Sequence, residues 1–210
     1  MKIVKEQETY ILRQFKRLAL IYDITEFFMG NLRNMVAEKI DAKNTKVIDV
    51  ACGTGSQSIA FAKKGFSVIG IDISPDMLKK AEKKIKSEYK IKFIQGNVTK
   101  IPYKNSKFDV SSISFGLHEM PKKLILVVLK EMKRVTKKNG KIIIVDYHKP
   151  RNPILAWISY RIFRFYESKY YGDFFNTNIK KYLSKVNLKI ISKETLFFNT
   201  IQIVECINSN

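Results

Sequence analysis

The chain has 210 residues, 45% of them hydrophobic, which is enough apolar material for one α/β domain with a full core. It carries 39 basic and 19 acidic residues, a net charge of +20. That excess suits an anionic partner, a membrane surface or nucleic acid, or else reflects a lysine-rich background, since most of it is Lys spread along helices. The two Cys lack zinc spacing and there are two His, so no protein-built metal site is expected, and a reduced, cytoplasmic setting fits. The opening Met1–Glu6 stretch has no apolar core of signal-peptide length, and the longest apolar run, Leu124 to Leu129, is too short to cross a bilayer.

Residues 1–44 read as helices, with Ile11, Leu12, Phe15, Leu18, Ala19 and Tyr22 recurring at three- and four-residue steps. Val47–Val50 is a first strand and Ser56–Lys64 its helix. Ser67–Ile71 is the second strand. Ser74 and Pro75 open a helix as N-cap and first turn, running to about Tyr89. Lys92–Gln95 and Phe108–Ser114 are the third and fourth strands. Pro121 starts a helix through Leu124, Leu129, Met132 and Val135, closed by Asn139-Gly140. Lys141–Tyr147 is the fifth strand. Helical material spans Pro153 to about Lys185. Leu188–Ser192 and Ile201–Cys206 are the last strands, an antiparallel pair joined through Glu194–Asn199. Strands alternating with helices until that pair imply a mostly parallel sheet with an antiparallel edge.

The chemistry concentrates in Val47-Ile48-Asp49-Val50-Ala51-Cys52-Gly53-Thr54-Gly55, with Asp72 ending the second strand nineteen residues after Gly53. Strand, glycine turn, helix, strand and Asp make a nucleotide-binding crevice, in which glycines admit the ligand to the backbone and the Asp holds two ribose hydroxyls. A dinucleotide site wants a third glycine, and here Ser58 stands in its place. Asp49, beside the turn, would gain nothing from a pyrophosphate. It suits the cationic ammonium and sulfonium of S-adenosylmethionine.

With these segments placed, the chain resembles class I S-adenosylmethionine-dependent methyltransferases, in particular the ubiquinone/menaquinone biosynthesis C-methyltransferase family. The resemblance runs through Phe15 to Asp23, Gly30 to Arg33, Asp49 to Gly55, Gly70 to Leu78, Gly96 to Tyr103, Phe108 to Leu117, Leu129 to Val135 and Gly140 to Asp146. It implies a Rossmann-like seven-stranded sheet with helices on both faces, in a single domain. Residues 1–44 would be a helical lid, 45–148 the cofactor-binding core, 149–185 a helical substrate-side insertion and 186–210 the final strands. Asp72 would take the ribose, Ile73 one adenine face, and Met77 lies in the same segment. Ala51, Gly53 and Gly55 would lie against the methionine moiety and Asp49 near its ammonium. Asn97, where the family usually has Asp, would accept from the adenine amino group, and Val98 would offer its N–H. Ser114 would supply a carbonyl to the ammonium, and Tyr22 would cover the cofactor and reach the chemistry.

One departure lies on the substrate side. After Phe115-Gly116-Leu117 the quinone enzymes usually carry Arg-Asn, and this chain has His118-Glu119. His118 is the candidate base and Glu119 its orienter or second base. Phe115, Tyr147 and Trp157 are expected around the acceptor. Segment 152–175 reads as an aromatic, basic, amphipathic helix. It would either pack on the sheet and line the acceptor pocket or lie on an anionic membrane face, peripheral to its inner side. The expected product pair is S-adenosylhomocysteine and a methylated small, lipid-like or aromatic acceptor. Nucleic acid is the weaker partner, because the fourth strand does not end in the Asn/Asp-Pro-Pro-aromatic run that holds a flipped base. RNA methylation and non-catalytic cofactor binding are the competing functions.

Overall fold

The computed structural model describes residues 29–41 and 45–209. Tyr22 and the rest of the expected N-terminal helices lie outside them, apart from a helix over 29–37 (α1). The remaining elements, in chain order, are β1 (Lys46–Val50), α2 (Ser56–Lys63), β2 (Ser67–Asp72), α3 (Pro75–Glu82), β3 (Ile91–Gln95), β4 (Phe108–Ser114), a single 3-10 turn (Leu117–Glu119), α4 (Lys122–Val135), β5 (Thr136–Tyr147), α5 (Pro153–Tyr166), α6 (Tyr171–Phe175), α7 (Lys180–Lys185), β6 (Lys189–Leu196) and β7 (Ile201–Ile207). The seven strands form one sheet in the order β3-β2-β1-β4-β5-β7-β6. The sheet is mostly parallel, and β7 runs antiparallel to both β5 and β6, which gives the expected antiparallel edge. The described residues fall into two compact units that divide between Val98 and Thr99.

In the first unit β2 pairs in parallel with β1 and β3, and Asp49 sits opposite Gly70. Val47, Ile48, Val50, Phe61 and Ile71 are buried, as the β-branched runs require. Ser74 caps α3, its Oγ accepting the Met77 N–H at 3.3 Å, with Pro75 in the first turn. That helix stops at Glu82, well short of Tyr89. Leu78 and Ala81 pack on Phe93, but beyond Ala81 the chain offers lysines and an Ile85 left 37% exposed, so no continuous apolar face rewards continuation.

In the second unit α4 buries Ile125, Val128, Leu129, Met132 and Val135 against β4 and β5. It ends at Val135, not at Asn139-Gly140. Thr136 turns its hydroxyl back onto the Met132 carbonyl at 2.6 Å and the chain becomes extended there, starting β5 early. Asn139, at φ 60°, and Gly140 then lie where β5 slips register against β4. Within α4, Glu131 and Arg134 clasp a preceding loop: Glu131 accepts the Ile101 N–H, and Arg134 donates to the Ile101 and Tyr103 carbonyls. The expected helical stretch from Pro153 to Lys185 breaks into three helices, and β6 extends to Leu196 through the residues expected to connect the last strands. Asn152 caps α5 by accepting the Ile154 and Leu155 N–H groups.

Candidate functional site

The first unit builds the crevice end of β1 and β2. Between them the chain makes a tight turn in which Ala51, Gly53 and Gly55 all have left-handed φ, at 54°, 53° and 75°. The two glycines are required for different reasons. A Cβ on Gly55 would lie 2.5 Å from the Phe93 ring and 2.7 Å from the Ala81 methyl, so this position has no room for a side chain. A Cβ on Gly53 would meet nothing within 4 Å; there the backbone faces open space, as a ligand cradle needs.

Asp72 closes the turn. Its Oδ2 accepts the Gly53 N–H at 2.8 Å and its Oδ1 the Ser74 N–H at 2.9 Å. Burial raises this carboxyl and the backbone donors oppose the rise. An ionised carboxylate has about four acceptor positions, so the acid that braces the turn can also accept from a sugar hydroxyl. Asp49 is 1% exposed; Oδ2 accepts from Ser58 at 2.5 Å and Oδ1 has no partner. Burial pushes it up to about 7. An orphaned, buried carboxylate oxygen beside an open backbone cradle is the environment a cationic ligand would relieve. Around this turn Ala51, Ile73, Asn97 and Val98 are half-buried and Met77 is buried. Lys84, not anticipated from the sequence, donates to Thr54 and Ser56 at 3.2 and 2.9 Å and braces the turn from α3's far end.

The second unit holds Ser114, Phe115, His118, Glu119, Tyr147 and Trp157. Ser114 ends β4, half-buried, and its hydroxyl lacks a partner. Phe115 follows at φ 53°, a strained conformation for an aromatic residue, and its N–H donates to Val145. His118 is 3% exposed, and both ring nitrogens are engaged. Nδ1 lies 2.7 Å from Asp146 Oδ1; Nε2 lies 3.0 Å from Glu167 Oε2 and 3.4 Å from Glu119 Oε1. Asp146 is wholly buried and also accepts the Leu117, His118 and Tyr147 N–H groups. The Tyr147 hydroxyl donates to Glu167 Oε1 at 2.5 Å. Burial opposes a charge on His118, but the two carboxylates outweigh it and hold the imidazole well above its ordinary value. Glu167 falls to about 2: burial works against its charge, and His118 prevails.

Rings surround this group. Tyr147 meets His118 at 4.8 Å, Phe115 at 5.6 Å, Phe163 at 4.6 Å and Tyr171 at 5.1 Å between centroids, and Tyr160 and Phe175 extend the cluster. Trp157 does not join it. On α5 the inward face takes Ala156, Ser159, Tyr160 and Phe163, and Trp157, 65% exposed, falls on the outer face. Asp146 could have been suspected from the sequence, since it ends an apolar strand as Asp49 and Asp72 do. Glu167, forty-nine residues from His118, left no signal.

The ubiE/COQ5 methyltransferase family matches residues 4–192. The chain belongs to this family. It is 37% identical over 159 residues to a demethylmenaquinone methyltransferase of Lactobacillus johnsonii, covering 71% of this chain and 63% of that one. It is 36% identical over 126 residues to one of Staphylococcus aureus, covering 59% and 52%. The chain thus spans less than two thirds of the length of these relatives. In fold it is similar to an S-adenosylmethionine-dependent methyltransferase from Methanosarcina mazei, with a TM-score of 0.65 at 19% identity over 81% of this chain and 95% of that one. A second, from Aquifex aeolicus, gives 0.59 at 18% identity over 79% and 82%. S-adenosylmethionine is the cofactor of this family, and the open face of Gly53, the Asp72 carboxylate and the orphaned Asp49 oxygen fit it.

Proposed function

We propose that the chain methylates a quinol-type, lipid-soluble aromatic acceptor with S-adenosylmethionine as donor. The observation that carries this reading is the family match over residues 4–192, on a chain whose Asp49, Gly53 and Asp72 form an open, acid-flanked turn. The relatives' names supply the acceptor class, and the ring cluster around Tyr147 supports a flat aromatic one. When bound, the cofactor supplies a methyl group already activated on a sulfonium. The protein's part is to hold the acceptor carbon in line with that methyl and keep water out. The new bond joins the methyl to a ring carbon, the carbon–sulfur bond breaks, S-adenosylhomocysteine leaves, and the ring carbon loses a proton. We place the acceptor's hydroxyl against the His118–Glu119–Glu167 group, the polar end of the ring cluster, and the ring proton passes to solvent.

A membrane-facing helix belongs to the same reading. Among the described residues no helix is long and apolar enough to cross a membrane. On α5, however, Ile154, Trp157, Ile158, Ile162 and Phe165 are exposed, Phe165 at 84%, and Arg161 and Arg164 flank them. Apolar residues pointing outward beside arginines support docking on an anionic lipid surface, where a lipid-soluble acceptor resides.

The test is incubation of the protein with methyl-labelled S-adenosylmethionine and reduced demethylmenaquinone in anionic vesicles. Label is expected in the lipid extract. Absence of labelled lipid with the donor unconsumed would overturn the acceptor, and label in added RNA would favour the competing reading.

A further inference from the structure

We infer that His118, Glu119 and Glu167 form a binding site for one divalent transition-metal ion of the Mn2+, Fe2+ or Zn2+ class. This goes beyond methyl transfer and does not depend on it. One ligand atom from each residue lies within 4.8 Å of the other two. The His118 Nε2 is 3.0 Å from Glu167 Oε2 and 3.4 Å from Glu119 Oε1. Metal–ligand bonds of about 2.1 Å at angles of about 90–110° place neighbouring ligand atoms about 3.0–3.4 Å apart, so these separations already suit a shared ion. One imidazole nitrogen with two carboxylates is a borderline donor set, which favours transition metals over Mg2+ or Ca2+.

Each principal ligand is aimed by a second group. Asp146, buried and fixed by three backbone N–H groups, holds the far nitrogen of His118 at 2.7 Å, the carboxylate–histidine arrangement that orients a metal-bound imidazole. The Tyr147 hydroxyl takes one oxygen of Glu167 and turns the other toward Nε2. The charge count points the same way. Three carboxylates surround one imidazole here, and a single N–H on Nε2 is shared between two of them at unequal distances. A cation at that point satisfies both, and the imidazole keeps its other N–H for Asp146. Glu119 and Glu167 retain some exposure, so an ion has access to the cluster and can keep exchangeable positions. The expectation from the sequence, with its two His, was no protein-built site. Of the carboxylates that complete this one, Glu119 adjoins the histidine in the chain and Glu167 follows α5.

The test uses tag-free protein loaded with MnCl2 or ZnCl2, desalted, and assayed for metal content and by calorimetric titration. One ion per chain is expected, with affinity reduced at least about tenfold in both Glu167→Gln and Glu119→Gln. The chain has two His, so diamagnetic Zn2+ should shift the ring resonances of His118 far more than those of His148. That measurement stands even if a substitution unfolds the protein. Failure of the wild type to retain either ion, a Zn2+-induced shift confined to His148, or folded variants that bind as the wild type does would each overturn the proposal.

Discussion

At the residue scale, Asp72 and Asp49 give the sharpest expectations. Asp72→Ala would free the Gly53 and Ser74 N–H groups as well as any sugar contact, so it cannot separate turn from ligand. Asp72→Asn keeps the shape with one acceptor oxygen fewer. It should weaken S-adenosylmethionine by more than about tenfold in calorimetry, each lost charged hydrogen bond being worth about 1.5–3 kcal/mol. Unchanged affinity would remove the carboxylate from the ribose. Asp49 predicts a pH dependence. Its carboxyl is held at about 7 when folded against 3.8 ordinarily, so between those values the folded state keeps a proton that the unfolded chain has lost. Its contribution therefore erodes stability as pH rises through that window. At pH 8, Asp49→Asn should stabilise the free protein by as much as about 4 kcal/mol, at about 1.4 kcal/mol per pKa unit over a roughly three-unit shift. A cationic ligand needs Asp49 ionised, so cofactor affinity should climb about tenfold per pH unit from pH 5 to 7, and that slope should vanish in Asp49→Asn.

At the element scale, the glycine turn separates packing from binding. Gly55→Ala would drive a methyl into Phe93 and Ala81 at a left-handed φ and should lower stability by about 2–4 kcal/mol in denaturant melts. Gly53→Ala meets no neighbour, so its stability loss should stay near the 1–2 kcal/mol that the left-handed backbone costs, while cofactor affinity collapses because the methyl fills the cradle. Equal stability losses in the two variants would contradict this division. The turn, its strands and its acid were legible because they depend on local signals: β-branched runs, two glycines and acids at strand ends. Element ends that depend on distant partners were not legible. Helix α3 stops where its apolar face ends, and α4 yields to Thr136 because that hydroxyl meets both Met132 and Ser111. The three partners of His118 show the same limit. Glu119 adjoins it in the chain, Asp146 was visible only as another strand-ending acid, and Glu167 follows a helix whose orientation the pattern did not fix.

At the scale of the whole molecule, the proposed membrane face of α5 gives the charge of +20 a testable role. The amphipathic helix expected over 152–175 ends at Tyr166; Arg161, Arg164, Ile158, Ile162 and Phe165 face outward, and the inward face carries Tyr160 and Phe163. Binding to vesicles containing anionic lipid should be measurable by co-sedimentation and should weaken steeply with salt. A double substitution, Ile162→Asp with Phe165→Asp, should abolish pelleting and leave cofactor affinity and melting within about 0.5 kcal/mol, since both side chains are exposed. Pelleting that survives both changes would move the lipid contact elsewhere. Length and motif set the fold class, but only the structure could say which side of α5 faces outward.

One consequence follows from the way Asp72 grips Gly53. A single carboxylate buckles the loop and also presents itself to the donor's sugar, so the two roles cannot drift apart. A descendant that abandoned methylation would still need that acid to keep the loop's shape. The presence of Asp72 in a chain therefore reports an intact loop before it reports a working enzyme, and the discriminating residue is Asp49, whose one unpartnered buried oxygen a cationic guest would satisfy.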